Sequence, residues 1–299
     1  MEKTYNNQYL QNLINQAIGY GDNTPKLEAY NQGASQNTVV PIDQDLKNRT
    51  AGRIFVEEIR RQQNLEDVFD SADEELSKNS HNEEKPIDDN WTQRFITFAK
   101  DITDSELKTY WGRLLAGEIK SPGSYSYRTM QLMSQLTKRE AERIREVFKY
   151  VLFSFDRINA QIIKTQSYSP ITMEQLLFMQ ELGLIDSKDT LSINYTNKDL
   201  GNEQYYVFSR NGIGVVFMSK AAKVQIPVYR LTSIGKEFLF LNSDVEVDVD
   251  YLKKVAELTA KEKNKDVSAK CGKIVLVGED YWMMSESFFE TEGDNSTKP

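Results

Sequence analysis

Apolar residues recur at helical intervals through the first half of the chain. Tyr9, Leu10, Leu13, Ile14, Ala17 and Ile18 repeat every three or four positions, and Gly19 and Gly21 end the run. The spacing predicts a short amphipathic helix with a polar face rich in Asn and Gln, suited to docking on the chain's own body or on a second copy. Residues 22–40 are polar and turn-rich and read as a connector. A longer helical region is expected from about Asp43 to Leu76, with Leu46, Ile54, Phe55, Ile59, Leu65, Val68, Phe69 and Leu76 on its apolar side and a break near Asn64. Ser77 to Pro86 reads as a linker. From Asp88 or Asp89, an expected cap, Trp91, Phe95, Phe98 and Ala99 form one stripe.

Thr103 to Glu106 has the form of a capping box. The helix it opens carries Leu107, Tyr110, Trp111, Leu114 and Leu115. Pro122-Gly123 forces a turn, and Ser124 or Ser126 caps a helix presenting Tyr127, Met130, Met133 and Leu136. A second box, Thr137 to Glu140, opens a helix with Ala141, Ile144, Val147, Phe148, Val151 and Leu152. Four such helices predict a compact bundle.

The period changes after Pro170. Thr172 to Gln175 caps a helix ended by Gly183, and a β-rich tract follows. Strands are expected over 191–195, 204–208, 213–218, 225–229 and 273–277, with Asn211-Gly212 as a hairpin turn. Helices are expected at Leu231 to Phe238 and at Tyr251 to Lys261. A helix, a hairpin and a further helix in this order match a winged-helix domain. The predicted fold is therefore mainly α with an α+β part, an N-terminal bundle followed by a winged-helix-like domain. Its expected divisions are 1–42 (helix and connector), 43–165 (bundle, with an acidic linker near 66–90), 166–289 (winged-helix-like), and 290–299 (disordered tail).

Composition narrows the chemistry. The chain of 299 residues has one histidine and one cysteine. Zinc sites and His-dependent catalytic units need more of these side chains than His81 and Cys271 supply. His81 stands in a polar, acidic stretch that would leave its ring unoriented, and Cys271 cannot form an intramolecular disulfide. No apolar run reaches the roughly 20 residues of a membrane span, and the opening residues lack the apolar core of a secretion signal. A cytoplasmic protein without a cofactor is expected. The net charge of −8 is concentrated between Glu66 and Asn90, so no bulk charge favours nucleic acid.

Candidate chemistry is sparse. Trp91, Phe95 and Trp111 fall on helical faces and read as core. Glu118-Ile119-Lys120 fits the E-x-K fragment of metal-dependent nucleases, but on a helix it is equally an ion-pairing surface. Ser121 to Ser124 could offer amides to a phosphate, although neither phosphate-binding glycine pattern is present. Lys138, Arg139, Arg143, Arg145 and Lys149 are interleaved with glutamates and read as a solvated face. The recognition-helix equivalent, Thr172 to Leu182, has no Lys or Arg. Arg210 and Lys220 on the wing are the residues a nucleic-acid interface would use. Partner-binding candidates are Leu10 and Leu13 on the first helix, and Tyr281, Trp282 and Phe288 in the aromatic C-terminal segment.

Several segments resemble a bacterial domain-of-unknown-function family, number 2806. They include Trp91 with Arg94-Phe95, Asp101 to Asp104, Trp111 to Ile119, Pro122 to Ser124 with Arg128-Thr129, and Leu136 to Glu142. Leu231 to Leu239 is similar to its C-terminal part. Helices of the W-x-x-L-L-A kind followed by such a segment are also similar to those of abortive-infection proteins. The resemblance implies a bacterial cytosolic protein in a defence or mobile-element setting, and it carries no active-site residues. The leading expectation is a non-enzymatic interaction or regulatory module of an anti-phage system, with a protein partner or self-association. A winged-helix nucleic-acid binder is the alternative, and a metal-dependent nuclease using Glu118 and Lys120 is the third.

Overall fold

The computed structural model describes residues 7, 8, 10, 11, 14, 44–78, 86–154, 159–186, 191–194, 204–219, 224–263, 267–277 and 281–291. The chain divides into two compact units, Met1–Lys138 and Arg139–Pro299. The first is helical among its described residues. Its elements are α1 (Gln44–Ser77), α2 (Asp89–Ala99), α3 (Ser105–Lys120) and α4 (Tyr127–Gln135). The expected break near Asn64 is absent. α1 runs unbroken for 34 residues, about 51 Å at 1.5 Å per residue. Asn64 stays in the helix because its side-chain amide donates to the Lys100 carbonyl (2.8 Å).

The core of this unit forms where α1 and α3 cross. Leu65, Val68, Phe69 and Ala72 are buried with Trp111, Leu114 and Leu115. Gly112 permits the close approach, since a Cβ there would stand 2.5 Å from that of Ser71. Trp91 stacks on Phe95 (5.3 Å) and Phe95 tilts against Trp111 (5.5 Å), so the aromatics are core as expected. The indole N–H of Trp91 donates to the Tyr125 carbonyl (2.8 Å). Helix starts follow cap chemistry. Asp88 caps α2 and Ser126 caps α4. α3 is capped by Asp104, which accepts from the amides of Glu106 and Leu107. The expected box at Thr103 therefore yields to the carboxylate one residue on.

The second unit is an antiparallel sheet with helices, so the chain as a whole is mixed α and β. Its helices are α5 (Lys138–Phe148, whose first residue ends the other unit), α6 (Met173–Glu181), α7 (Ser233–Leu241) and α8 (Val249–Glu262). Its strands are β1 (Val151–Ser154), β2 (Ala160–Ile163), β3 (Leu191–Asn194), β4 (Gln204–Arg210), β5 (Ile213–Ser219), β6 (Gln225–Arg230), β7 (Val267–Val277) and β8 (Tyr281–Glu290). Their order is β3-β6-β2-β1-β4-β5-β7-β8, and every pairing is antiparallel. Thr172 and Gln175 close the expected capping box of α6. Asn211 (φ 52°) and Gly212 (φ 75°) make the expected β4–β5 turn.

One sheet face is covered by α8. Tyr251, Leu252, Val255 and Ala256 join Leu152, Ile163, Phe208, Val215 and Phe217 in a single apolar core that also holds Cys271. The Tyr251 hydroxyl donates to the Ile163 carbonyl (2.9 Å) and accepts from its amide (2.8 Å). This locks the helix to β2, and burial pushes the phenol well above its ordinary range.

Three expectations are corrected. Val151 and Leu152 belong to β1 rather than to the end of the preceding helix, so the sheet starts before the domain division expected at 165. The β4–β5 hairpin is not a free wing, because β4 pairs with β1 and β5 pairs with β7. The aromatic segment at 281–289 is β8, an outer strand paired along β7. Its neighbour Glu290 is the strand's last residue rather than the start of a disordered tail, and 292–299 lie outside the described residues.

Candidate functional site

Five of the eleven exposed large hydrophobic residues among the described residues lie on the first half of α1. Between Asp45 and Arg60 only Thr50 and Glu57 are partly covered. Leu46, Ile54, Phe55 (64% exposed), Val56 (65%) and Ile59 all stand in solvent. Ala51, Phe55 and Ile59 form one i, i+4, i+8 row, and Gly52 and Val56 form the row beside it. This stripe lies roughly 100° around the axis from Leu65, Val68, Phe69, Ala72 and Leu76, which face the body. The two halves of one helix thus carry two different apolar faces, and only one of them is buried.

Gly52 sharpens the point. Nothing approaches within 4 Å of the position its Cβ would take. A glycine in an exposed helix interior destabilises it by about 1 kcal/mol relative to alanine, and its use in packing is to let another backbone come close. Charge is also divided along this arm. Lys47, Arg49 and Arg53 outnumber Asp45 in its first part, whereas Glu57, Glu58, Glu66 and Asp67 outnumber Arg60 and Arg61 further on. Ion pairs on the same helix include Arg53–Glu57 (2.8 Å) and Arg61–Asp101 (2.9 Å).

The residues singled out from sequence are scattered. Leu10 is fully buried, so it is occupied by the protein's own body and offers no free docking surface. Leu13 and Lys220 lie outside the described residues. Tyr281, Trp282 and Phe288 are all on β8. Phe288 is 37% exposed, while the side chains of Tyr281 and Trp282 lie outside the described part. Arg210 is the clearest correction. It is only 7% exposed, and one guanidinium nitrogen, Nη2, donates to the Val245 carbonyl (3.0 Å). Burial lowers its pKa to about 10. It cannot reach a phosphate backbone from beneath the 242–247 segment.

The E-x-K pair has a different job. Glu118 and Lys120 both lie on α3, not on the adjoining strands a nuclease site requires. Glu118 is buried, and its two oxygens accept from the amides of Gly123 (2.6 Å) and Tyr125 (3.0 Å). It fastens the turn that follows its own helix. Lys120 donates to the Glu75 carbonyl (3.0 Å). Among the described residues no three His, Cys, Asp or Glu side chains are grouped to hold a metal. No described helix is long and apolar enough to cross a membrane.

The helix crossing built by Trp111 and Gly112, with the turn pinned by Glu118, places the W-G-R-L-L-A-G-E segment at the structural centre of the first unit. That segment is one of those that carry the family resemblance. The chain belongs to the family described as protein of unknown function (DUF2806), whose model matches residues 48–256. Neither a curated protein nor a solved structure matches the chain.

Proposed function

We propose that this protein is a non-enzymatic interaction module and that the first half of α1 is its docking surface, occupied by a second copy of the chain. The observation that carries this reading is the solvent-facing stripe of Ala51, Gly52, Phe55, Val56 and Ile59 on an arm that the described residues leave uncovered. An isolated helix of this length is marginal in water and gains most of its stability from packing an apolar face. A two-fold interface needs a patch that complements itself. In an antiparallel pair centred near Phe55 and Val56, the lysine- and arginine-rich start of one arm meets the glutamate- and aspartate-rich continuation of the other. Gly52 makes room for the facing side chains. In the bacterial defence setting suggested by the resemblance, such pairing would serve regulation or assembly rather than turnover.

Light scattering or sedimentation equilibrium on the full chain tests this. The wild type is expected to be a dimer, and Phe55→Glu a folded monomer with unchanged far-ultraviolet circular dichroism. A monomeric wild type, or a dimer that persists in Phe55→Glu, overturns the reading.

A further inference from the structure

The sheet of the second unit carries a row of polar side chains in a position where apolar ones are expected. Gln161 on β2 stands directly opposite Arg230 on β6 and Leu152 on β1. The β1–β4 register pairs Phe153 with Ser209 and Ser154 with Phe208, and one step further it sets Leu152 beside Arg210. Residues directly opposite one another project from the same face of a sheet. Arg230, Gln161, Leu152 and Arg210 therefore line up across four adjacent strands, on the face whose core includes Leu152 and α8.

The row does not satisfy itself. Gln161 is 0% exposed, yet both its Nε2 and its Oε1 are buried without a hydrogen-bond partner. The same holds for Nε and Nη1 of Arg210 and for Nε of Arg230. Five of the seven such atoms among the described residues thus belong to these three side chains. Buried amides and guanidiniums are normally paired, and an unpaired buried charge is costly. The complementary groups are close at hand. The Gln161 oxygen is an acceptor directly across from a guanidinium, on strands spaced about 4.8 Å apart, yet the two do not bond. Donors from two cations and both ends of a carboxamide are held ready on one face.

A cavity of about 440 Å³, lined by Arg145, Glu146, Lys149, Asp244, Val245, Glu246, Val247 and Asp248, touches the row only through Val245. Val245 is common to both. It walls the cavity, and its carbonyl receives Arg210 Nη2. The cavity's four carboxylates outnumber its two cations, and Arg145 and Lys149 are paired with Asp244 and Glu146, so the place for an anion is among the row's own donors and not in this cavity.

We propose that Gln161, Arg210 and Arg230 form a binding site for a small molecule bearing an oxyanion, a carboxylate or a phosphate, and carrying a hydrogen-bond donor for Gln161 Oε1. The guanidiniums take the anion through paired N–H donors, and Gln161 reads the neighbouring polar group. The site lies in a different unit from the α1 arm and stands independently of self-association.

Thermal unfolding of the full chain tests the proposal, titrating inorganic phosphate and malate separately against sodium chloride of equal ionic strength. The wild-type midpoint is expected to rise saturably with one of the two anions. A phosphate response identifies a phosphate-bearing ligand, and a malate response a hydroxy-carboxylate. Arg210→Met is expected to weaken that response at least tenfold. Gln161→Glu supplies the counter-charge from within the row, so it is expected to raise the midpoint in anion-free buffer and to abolish the response. No saturable rise beyond the chloride control, or a response that survives in either variant, overturns the proposal.

Discussion

Each unit of this protein buries polar side chains, and the two clusters differ in one respect. In the first unit, Glu118 is buried with each carboxylate oxygen accepting a main-chain amide. In the second, Gln161 and Arg210 are buried just as deeply with most of their polar atoms unmatched. Glu118 closes on the chain itself, and its chemistry is spent on holding a turn. The Gln161 row keeps its bonding capacity unspent, which marks it as a place for something other than the chain. Burial alone therefore does not distinguish a structural polar group from a functional one.

Substitutions should separate the two clusters by the sign of their effect. The largest loss is expected for Glu118→Ala, which orphans two amides. It should lower stability by about 3–5 kcal/mol in urea titration, and a loss under 1 kcal/mol would put Glu118 in the same class as Gln161. Arg210→Met should move the other way, gaining about 1–2 kcal/mol because it removes a buried cation with few partners. Loss of stability there would show that the guanidinium is structurally required. A smaller difference is expected within the first unit. Trp91→Phe removes an indole donor bonded to Tyr125, whereas Trp111→Phe removes a nitrogen that has no partner. Trp91→Phe should cost about 1 kcal/mol more than Trp111→Phe.

The smallest effect concerns acid. Asp88 accepts from the Trp91 amide and the Tyr127 hydroxyl, which together hold its carboxyl below its ordinary 3.8. Its contribution is thus complete above that value and fades as pH falls through the lower folded-state value. Asp88→Asn should flatten the acid limb of the stability profile by a small amount. An unchanged profile would mean that the cap contributes nothing through its charge.

Local signals account for much of the fold. The helical periods of α1 to α4, the Thr172 capping box and the Asn211-Gly212 turn were all legible, because each is decided by neighbours in sequence. β1 and β2 were not. Residues 160–163 are buried on both faces and show no alternation, and Val151-Leu152 continue the spacing of the helix before them. The central position of the β4–β5 hairpin was hidden for the same reason, since β7 lies some fifty residues further along. The candidate sites fared worse. Arg210 beside a hairpin turn reads as an exposed wing residue, and only the 242–247 segment folding over it reverses that. Gln161 was visible as a lone polar residue in an apolar run, but its lack of partners is a property of three strands together.

Cys271 carries a practical dividend. It is the chain's single sulfhydryl, fully enclosed on β7, and enclosure pushes its pKa up to about 12. At neutral pH it is both protonated and unreachable, so alkylating reagents should pass it by. An Arg60→Cys variant, exposed on α1 but off the apolar stripe, would then present one reactive handle against a silent background. Dyes or spin labels could be placed on the arm, and the separation between two copies read directly, with no native residue to remove first.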